Sequence, residues 1–166
     1  MLIKNARHAA AVLALVIFAI PAAQAQTGTQ NVAYSVASIQ RIAVSGGTQT
    51  LAIVTATPGT ALTSISNSAA SYAIWNNVDN MKITASLDGD MPGTPGDLVL
   101  KANLTAPAGA TSTTRSLSTT AADMVIGINK LSSASPLGIT YTLDALPAAG
   151  AVSGSVIVTY TVTLGS

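Results

Sequence analysis

The side chains that most often carry enzyme chemistry are nearly missing from this sequence. Cysteine does not occur, and the one histidine, His8, lies close to the start of the chain. A serine or cysteine nucleophile usually needs a neighbouring histidine as its base, and protein zinc sites are built mainly from histidine and cysteine. Aspartate or serine–lysine chemistry would remain, but neither has a recognisable motif here. We therefore predict that the protein is not an enzyme.

Carboxylates gather in one loop rich in glycine and proline. Asp88 and Asp90 flank Gly89, and Asp97 follows seven residues later. Because Ca²⁺ prefers hard oxygen ligands, Asp88, Asp90 and Asp97 form a candidate calcium site. The spacing is not that of an EF-hand, and Asp-Gly-Asp is common in turns, so a solvated loop is the alternative. No other cofactor is implied.

The sole tryptophan, Trp75, lies three residues after Tyr72. Exposed on a sandwich surface, Trp75 and Tyr72 could stack on a sugar ring. Buried, a large aromatic side chain would instead bridge the two sheets of a core. The sequence leaves both interpretations open.

Residues 1–25 have the three parts of a secretory signal peptide. Lys4 and Arg7 precede an apolar stretch at 9–20, Pro21 follows, and Ala23-Gln24-Ala25 offers a small-x-small cleavage site. An apolar stretch of about 12 residues is too short for a bilayer span, which needs roughly 20. We predict export to the periplasm, the cell surface or the medium, with no transmembrane span in the mature form.

Charge excludes one large class of partner. After residue 25, five cations stand against six aspartates, which gives a net charge of −1 without a basic cluster. Nucleic-acid binding depends on lysine and arginine neutralising phosphates, so we predict no nucleic-acid partner.

The mature chain has the pattern of an all-β fold. It contains no glutamate, and small, β-branched and hydroxyl residues dominate, which suits half-buried pleated surfaces. We predict a flexible leader at 26–30 and one domain at 31–166, a two-sheet antiparallel sandwich of seven or eight strands with Ig-like, Greek-key connections. A closed barrel is the alternative. The predicted strands cover 31–44, 51–55, 72–76, 81–88, 98–104, 124–128, 139–145 and 156–164.

Both ends of the mature chain carry β-prone segments. The stretch 154–164 is uncharged, and Val32, Tyr34 and Val36 alternate with small residues behind the leader. Each segment could pair within its own domain, or it could add to an exposed sheet edge of a neighbouring subunit.

The end of the chain resembles a group of bacterial exported proteins. Residues 138–145 (Gly-Ile-Thr-Tyr-Thr-Leu-Asp-Ala) and 154–163 (Gly-Ser-Val-Ile-Val-Thr-Tyr-Thr-Val-Thr) are similar to the ends of Ig-like surface sandwiches of the WxL, pilin-like and spore-coat-U-like kinds. The resemblance implies a structural role at the surface and transfers no site residue. Two departures stand against it, since Trp75-Asn76-Asn77 is not a Trp-x-Leu signature and the disulfide usual in pilins is absent.

Two functions follow as expectations. The first is a secreted structural or adhesive β-sandwich that associates with itself or with other envelope proteins. The second is a carbohydrate-binding module that uses Trp75 and Tyr72 beside a calcium-ordered aspartate loop.

Overall fold

A computed structural model of the chain describes residues 26–61, 63–132 and 136–165. The predicted signal peptide at 1–25 lies outside these residues. The chain divides into two units, residues 1–35 and residues 36–166. In the first unit, residues 26–35 are exposed and have no regular secondary structure. Among the described residues, no helix has the length and apolar character needed to cross a bilayer.

The second unit is an antiparallel β-sandwich, which confirms the predicted fold class. One sheet, sheet A, has the order β1-β2-β9-β4-β6, with β8 also pairing with β2; the other, sheet B, has the order β10-β3-β7-β5. Within the described part of the chain, seven strands have six or more residues and three have two, and one 3-10 turn spans Pro147–Ala149. The strands are β1 (Gln40–Ser45), β2 (Thr63–Asn76), β3 (Met81–Leu87), β4 (Leu98–Leu104), β5 (Thr111–Ser112), β6 (Arg115–Ser116), β7 (Ala122–Ile128), β8 (Leu131–Ser132), β9 (Leu137–Ala145) and β10 (Val158–Leu164).

Strict alternation builds the core between the sheets. In β3 the four apolar residues are buried while the three polar residues between them remain partly exposed. A side-chain period of two turns one row of a strand toward the facing sheet, and burying each large aliphatic side chain contributes about 1.5–3 kcal/mol. The core is therefore the expected product of the two-residue pattern. Its fully buried side chains include Tyr72, Ile83, Leu104, Met124, Val125, Ile128 and Ile139.

Strand β2 is longer than the sequence pattern predicted. The prediction began at Tyr72, but the strand begins at Thr63 and pairs with β9 over most of its length. The first half, rich in serine and alanine, has few large apolar residues to mark it as a strand. A bulge between Asn67 and Ala70 interrupts the pairing, and such a bulge also hides the alternation.

A glycine turn ends β1 against this bulge. Gly46 has φ near +112°, and a Cβ atom there would lie 2.8 Å from the Cα of Ala70. Only a residue without a side chain fits both the backbone angle and the close approach. The chain leaves β2 at this point, and the predicted strand at 51–55 does not form a ladder with any described strand.

Asparagine side chains order the turn between β2 and β3. Asn76 is buried, and its amide donates to the carbonyl oxygens of Val78 and Asn129. Asn80 adopts the left-handed conformation, with φ of 57°. The turn forms because asparagine side chains bond nearby backbone groups and asparagine tolerates positive φ.

Candidate functional site

The aspartate loop does not gather its carboxylates around one point. Asp88 accepts a hydrogen bond from the backbone N–H of Ile157 at 2.7 Å, so its side chain fixes the chain just before β10. Asp90 accepts one from the hydroxyl of Thr119 at 3.4 Å. Within the described residues, no three acidic side chains, Asp97 included, come together in a way that could hold a metal ion. These hydrogen bonds are typical of a loop whose carboxylates hold neighbouring segments of the chain in place.

Trp75 and Tyr72 lie on opposite faces of β2. Tyr72 is 0% exposed, and its hydroxyl donates to the carbonyl oxygen of Thr105 at 2.6 Å, so it belongs to the core. Trp75 is 40% exposed and stands directly across from Arg41 of β1. The two aromatic rings therefore cannot form one stacking platform, and Trp75 alone is available on the surface.

A shallow depression surrounds Trp75 on the outer face of sheet A. It has a volume of about 490 Å³ and is lined by residues 40–43 of β1 and 73–75 of β2. Small side chains at Ala43 and Ala73, which are opposite each other in the ladder, leave its floor flat. A planar ligand could lie here, with Trp75 as its one aromatic contact.

The buried carboxylate of the molecule has a structural role. Asp144 of β9 forms an ion pair with Lys101 of β4 at 2.6 Å and accepts a hydrogen bond from Ser64 of β2, also at 2.6 Å. The bond from Lys101 and then that from Ser64 hold the pKa of Asp144 below its usual value. Asp144 thus links three neighbouring strands as an anion, with one partner on each carboxylate oxygen.

Strand β10 has one free edge. Its ladder with β3 is flanked by two backbone bonds: the Ile157 carbonyl accepts from Asp88 N–H, and Gly165 N–H donates to Asn80. Since hydrogen-bonding direction alternates along an antiparallel strand, the odd-numbered residues of β10 bond to β3. The N–H and C=O groups of the even-numbered residues point to the opposite edge, where no described strand is paired. These residues are Val158, Tyr160, Val162 and Leu164.

The free edges of the two sheets meet in a seam. Cα atoms of β1 and β10 come within 8 Å of each other, yet the two strands form no ladder. Between the two sheets, the Tyr160 hydroxyl of β10 donates to that of Tyr141 of β9 at 2.9 Å, which links sheet B to sheet A. Among the described strands, no backbone ladder joins β1 to β10.

Beyond the seam, the sandwich opens into a groove of about 880 Å³. One wall is formed by Leu51, Ala52 and Ile53, the lining part of segment 49–56 that continues from β1, and the other by the segment 151–156, which leads into β10. Neither wall pairs with a described strand. Leu51 and Ile53 are half-buried while Ala52 and Val54 are exposed, the two-residue period of extended backbone. The groove is lined by Leu51, Ala52, Ile53, Asp90, Met91, Pro92, Leu98, Leu143, Ala145 and residues 149–156.

The segment at 31–37 carries a second unpaired apolar row. Val32 and Tyr34, in the first unit, are 72% and 93% exposed, and Val36, at the start of the second unit, is 80% exposed. The predicted strand at 31–44 thus has only its last part, β1, in a ladder. Apolar side chains at alternate positions usually face a core, whereas these three are exposed.

Sequence reasoning found the segments of the groove but not the groove itself. The stretch 51–55 was expected to be a paired strand but lies in the unpaired segment 49–56, whereas the strand predicted at 156–164 forms β10 at Val158–Leu164, and only its first two residues precede the ladder. A local signal existed, since the walls carry no charge that would protect an edge. What the pattern could not show is that these two distant segments line one opening.

Comparison with protein-family models, curated proteins and solved structures gives no match for this chain. The function is therefore argued from its own geometry.

Proposed function

We propose that the protein is an exported, non-catalytic structural or adhesive subunit, which associates with other subunits through the open strand edges of its sandwich. The observation that carries this proposal is the groove between segments 49–56 and 151–156, whose walls pair with no described strand and whose lining combines many aliphatic residues with a nearly equal share of polar surface. Backbone groups at a free edge can bond an incoming strand, and apolar residues beside them supply affinity when covered.

The distribution of polar groups supports a non-catalytic role. The ion pairs of the described residues join Lys82 to Asp123, Lys101 to Asp144 and Lys130 to Asp79. Three of the six aspartates thereby have a cation partner, and the groove has Asp90 as its one charged lining residue. Reactive groups usually converge in a pocket with perturbed titration, and this groove has no such convergence.

The test introduces a charge into the groove and measures assembly. Val152 lines the groove and is 46% exposed, and Ile126 of β7, which is not part of the lining, is 47% exposed. We expect the exported protein to form oligomers or filaments in light scattering and electron microscopy, Val152→Lys to abolish them and Ile126→Lys to retain them. A wild-type protein that stays monomeric at high concentration would refute the proposal.

A second function is favoured by one observation, the exposed Trp75 in its flat depression beside Arg41. Indole rings stack on the apolar faces of sugars, and such sites are shallow when the ligand is a polysaccharide. The measurement is a titration of the tryptophan fluorescence with soluble glycans, with Trp75→Ala as the variant that should lose binding. No change in fluorescence across a glycan panel would exclude this function.

A further inference from the structure

Resting on the second of the proposed functions, we infer that the depression around Trp75 binds an acidic polysaccharide, a polymer that contains uronic acid units. The indole ring of Trp75 stacks on the face of one sugar, and the guanidinium of Arg41 bonds to a carboxylate of the polymer. The juxtaposition behind this inference is an exposed indole and a cation without an acidic partner, side by side on the outer face of sheet A.

Arg41 and Trp75 are direct partners in the ladder between β1 and β2. Opposite residues of an antiparallel pair point to the same face of the sheet, with Cβ atoms about 4.5–5.5 Å apart. Tyr72 and Ile74 of β2 are buried, so the face that Trp75 and Arg41 share is the outer one. A sugar ring that lies on the indole therefore has its substituents within reach of the guanidinium.

Within the described chain, Arg41 has no carboxylate partner. All six aspartates of the sequence belong to the described residues, and the ion pairs among these residues involve lysines only. The other residues that line the depression are uncharged. A guanidinium is planar and matches a carboxylate through two parallel hydrogen bonds. An acidic ligand therefore complements this face better than a neutral one.

The attraction has to be local. Five cations and six aspartates leave residues 26–166 with a net charge of −1, so the protein as a whole does not attract a polyanion. A single exposed cation attracts anions over about one Debye length, roughly 8–10 Å in physiological salt. The acidic group must therefore lie at Arg41 itself, beside the indole.

The outer face continues from this pair as a flat track along both strands. Beyond it come Ala43 opposite Ala73 and then Ser45 opposite Ser71. The two serine hydroxyls bond to each other at 2.9 Å, which uses one O–H and leaves the other free to donate to a ligand. Residues of a strand advance about 3.3 Å each, so the track is about 13 Å long. It offers an aromatic face, a floor of methyl groups and a pair of hydroxyls in that order.

The shallow shape favours a polymer over a small ligand. Sites for small molecules are concave and enclose most of the surface of the ligand. Here the floor consists of Ala43 and Ala73 on an open sheet face, which leaves a single sugar largely in water. A polymer makes several weak contacts along the track, and linked contacts raise the overall affinity although each is weak.

The first experiment compares acidic polymers with their uncharged esters. Polygalacturonate and alginate are the probes, and the methyl ester of each has the same sugar rings without the charge. We expect the exported protein to bind the acid forms at least tenfold more tightly in a titration of tryptophan fluorescence, and added salt to reduce that preference. If neither acid form binds more tightly than its ester, the inference is overturned.

Matched arginine substitutions then locate the charge. Arg41→Gln removes the cation beside Trp75, and Arg115→Gln removes the same charge from β6, an exposed position at the opposite edge of sheet A. We expect Arg41→Gln to weaken binding of the acid polymer at least tenfold, as the loss of hydrogen bonds between charged groups does, and to leave binding of the ester unchanged. Arg115→Gln should change neither affinity. Equal losses in two variants that retain the far-ultraviolet circular dichroism of the wild type would overturn the inference.

Two other outcomes separate this inference from the function on which it rests. If acid and ester bind equally and Trp75→Ala abolishes both, the protein binds glycans and only the acidic class is wrong. If no polymer of either form changes the fluorescence or migrates with the protein, the glycan-binding function and this inference fail together. In neither case is the proposed assembly through the strand edges affected.

Discussion

Strand β3 and segment 49–56 both turn alternate residues inward, yet they end in different environments. β3 lies between β10 and β7, paired on both sides, and its apolar row is buried. Segment 49–56 pairs with no described strand, and Leu51 and Ile53 in it are half-buried. The comparison shows that alternation fixes which side chains face inward, while neighbours on both edges decide whether that face is fully covered.

The same contrast holds for the two edges of sheet B. At one edge, the two-residue strand β5 covers part of β7, and Thr113 N–H bonds to the Met124 carbonyl. At the other edge, β10 presents its even-numbered backbone groups without a paired strand. A short strand and a loop protect the first edge in the usual way. The second is seven residues long and uncharged, so none of these usual protections covers it.

The largest expected effect is on the free energy of unfolding, and it is tested by substituting one isoleucine in β3 and one in segment 49–56. Ile83 of β3 is 0% exposed, and Ile53 is half-buried in the groove wall. We expect Ile83→Ala to lower the free energy of unfolding by about 3 kcal/mol, because it leaves a cavity in a packed core. Ile53→Ala should cost below about 1 kcal/mol, since the open groove already admits water. Urea unfolding followed by far-ultraviolet circular dichroism measures both, and similar losses would contradict the comparison.

The next effect concerns the buried carboxylate. The pKa of Asp144 is lowered in the folded protein by Lys101 and then by Ser64, whereas an unfolded aspartate titrates near 3.9. Its stabilisation is therefore present above about pH 4 and is lost as pH falls through the lower folded value. Asp144→Asn should cost about 2 kcal/mol at neutral pH, as lost hydrogen bonds to a charged group do. Below pH 4, the free energy of unfolding of Asp144→Asn should also fall less steeply than that of the wild type.

The control for that prediction is Asp79→Asn. Asp79 pairs with Lys130 at 3.0 Å, but both side chains are more than half exposed. Solvent and salt screen such a pair, so the pH dependence of unfolding should stay close to that of the wild type. If Asp79→Asn and Asp144→Asn changed the loss of stability below pH 4 equally, burial would not be the reason for the effect of Asp144.

The smallest expected effect is on stability and its loss at alkaline pH, and it is tested by substituting a buried and an exposed tyrosine. Burial raises the pKa of Tyr72 to about 12, and its hydroxyl bonds to Thr105. Tyr72→Phe should cost about 1 kcal/mol, because the Thr105 carbonyl loses that partner. A tyrosine in the unfolded chain titrates near 10, so its share of stability is complete below pH 10 and is lost as pH rises toward 12. Tyr72→Phe should reduce that alkaline loss, and Tyr34→Phe, at a 93% exposed position, should change neither quantity.

Much of the fold followed from local alternation. The bounds expected for β4 match the structure, those for β3 and β9 differ by one or two residues, and the terminal strand was identified with a start two residues too early. In these segments large apolar residues occupy every second position, so the local pattern and the final burial agree. The first half of β2 escaped prediction because Ser64, Ser66 and Ser68 alternate with residues of which few are large and apolar.

The sequence identified the candidate site residues but not how the fold would arrange them. The spacing of Tyr72 and Trp75 already requires opposite faces of a strand, but it does not say which face is inside. Likewise Asp88, Asp90 and Asp97 are close in sequence, yet Asp88 bonds to Ile157 across the fold. Both outcomes depend on partners far along the chain.

The sequence by itself determined that this protein is built from strands of alternating residues and offers neither cysteine nor, beyond His8, an imidazole. Those properties are local or compositional, so no knowledge of neighbours is needed. The tertiary structure alone decided that 49–56 and 151–156 stand on either side of one groove, and that the outer edge of β10 is free. Strand pairing is non-local, because the backbone bonds that link strands are the same for every residue type, and only the fold selects which edges they join.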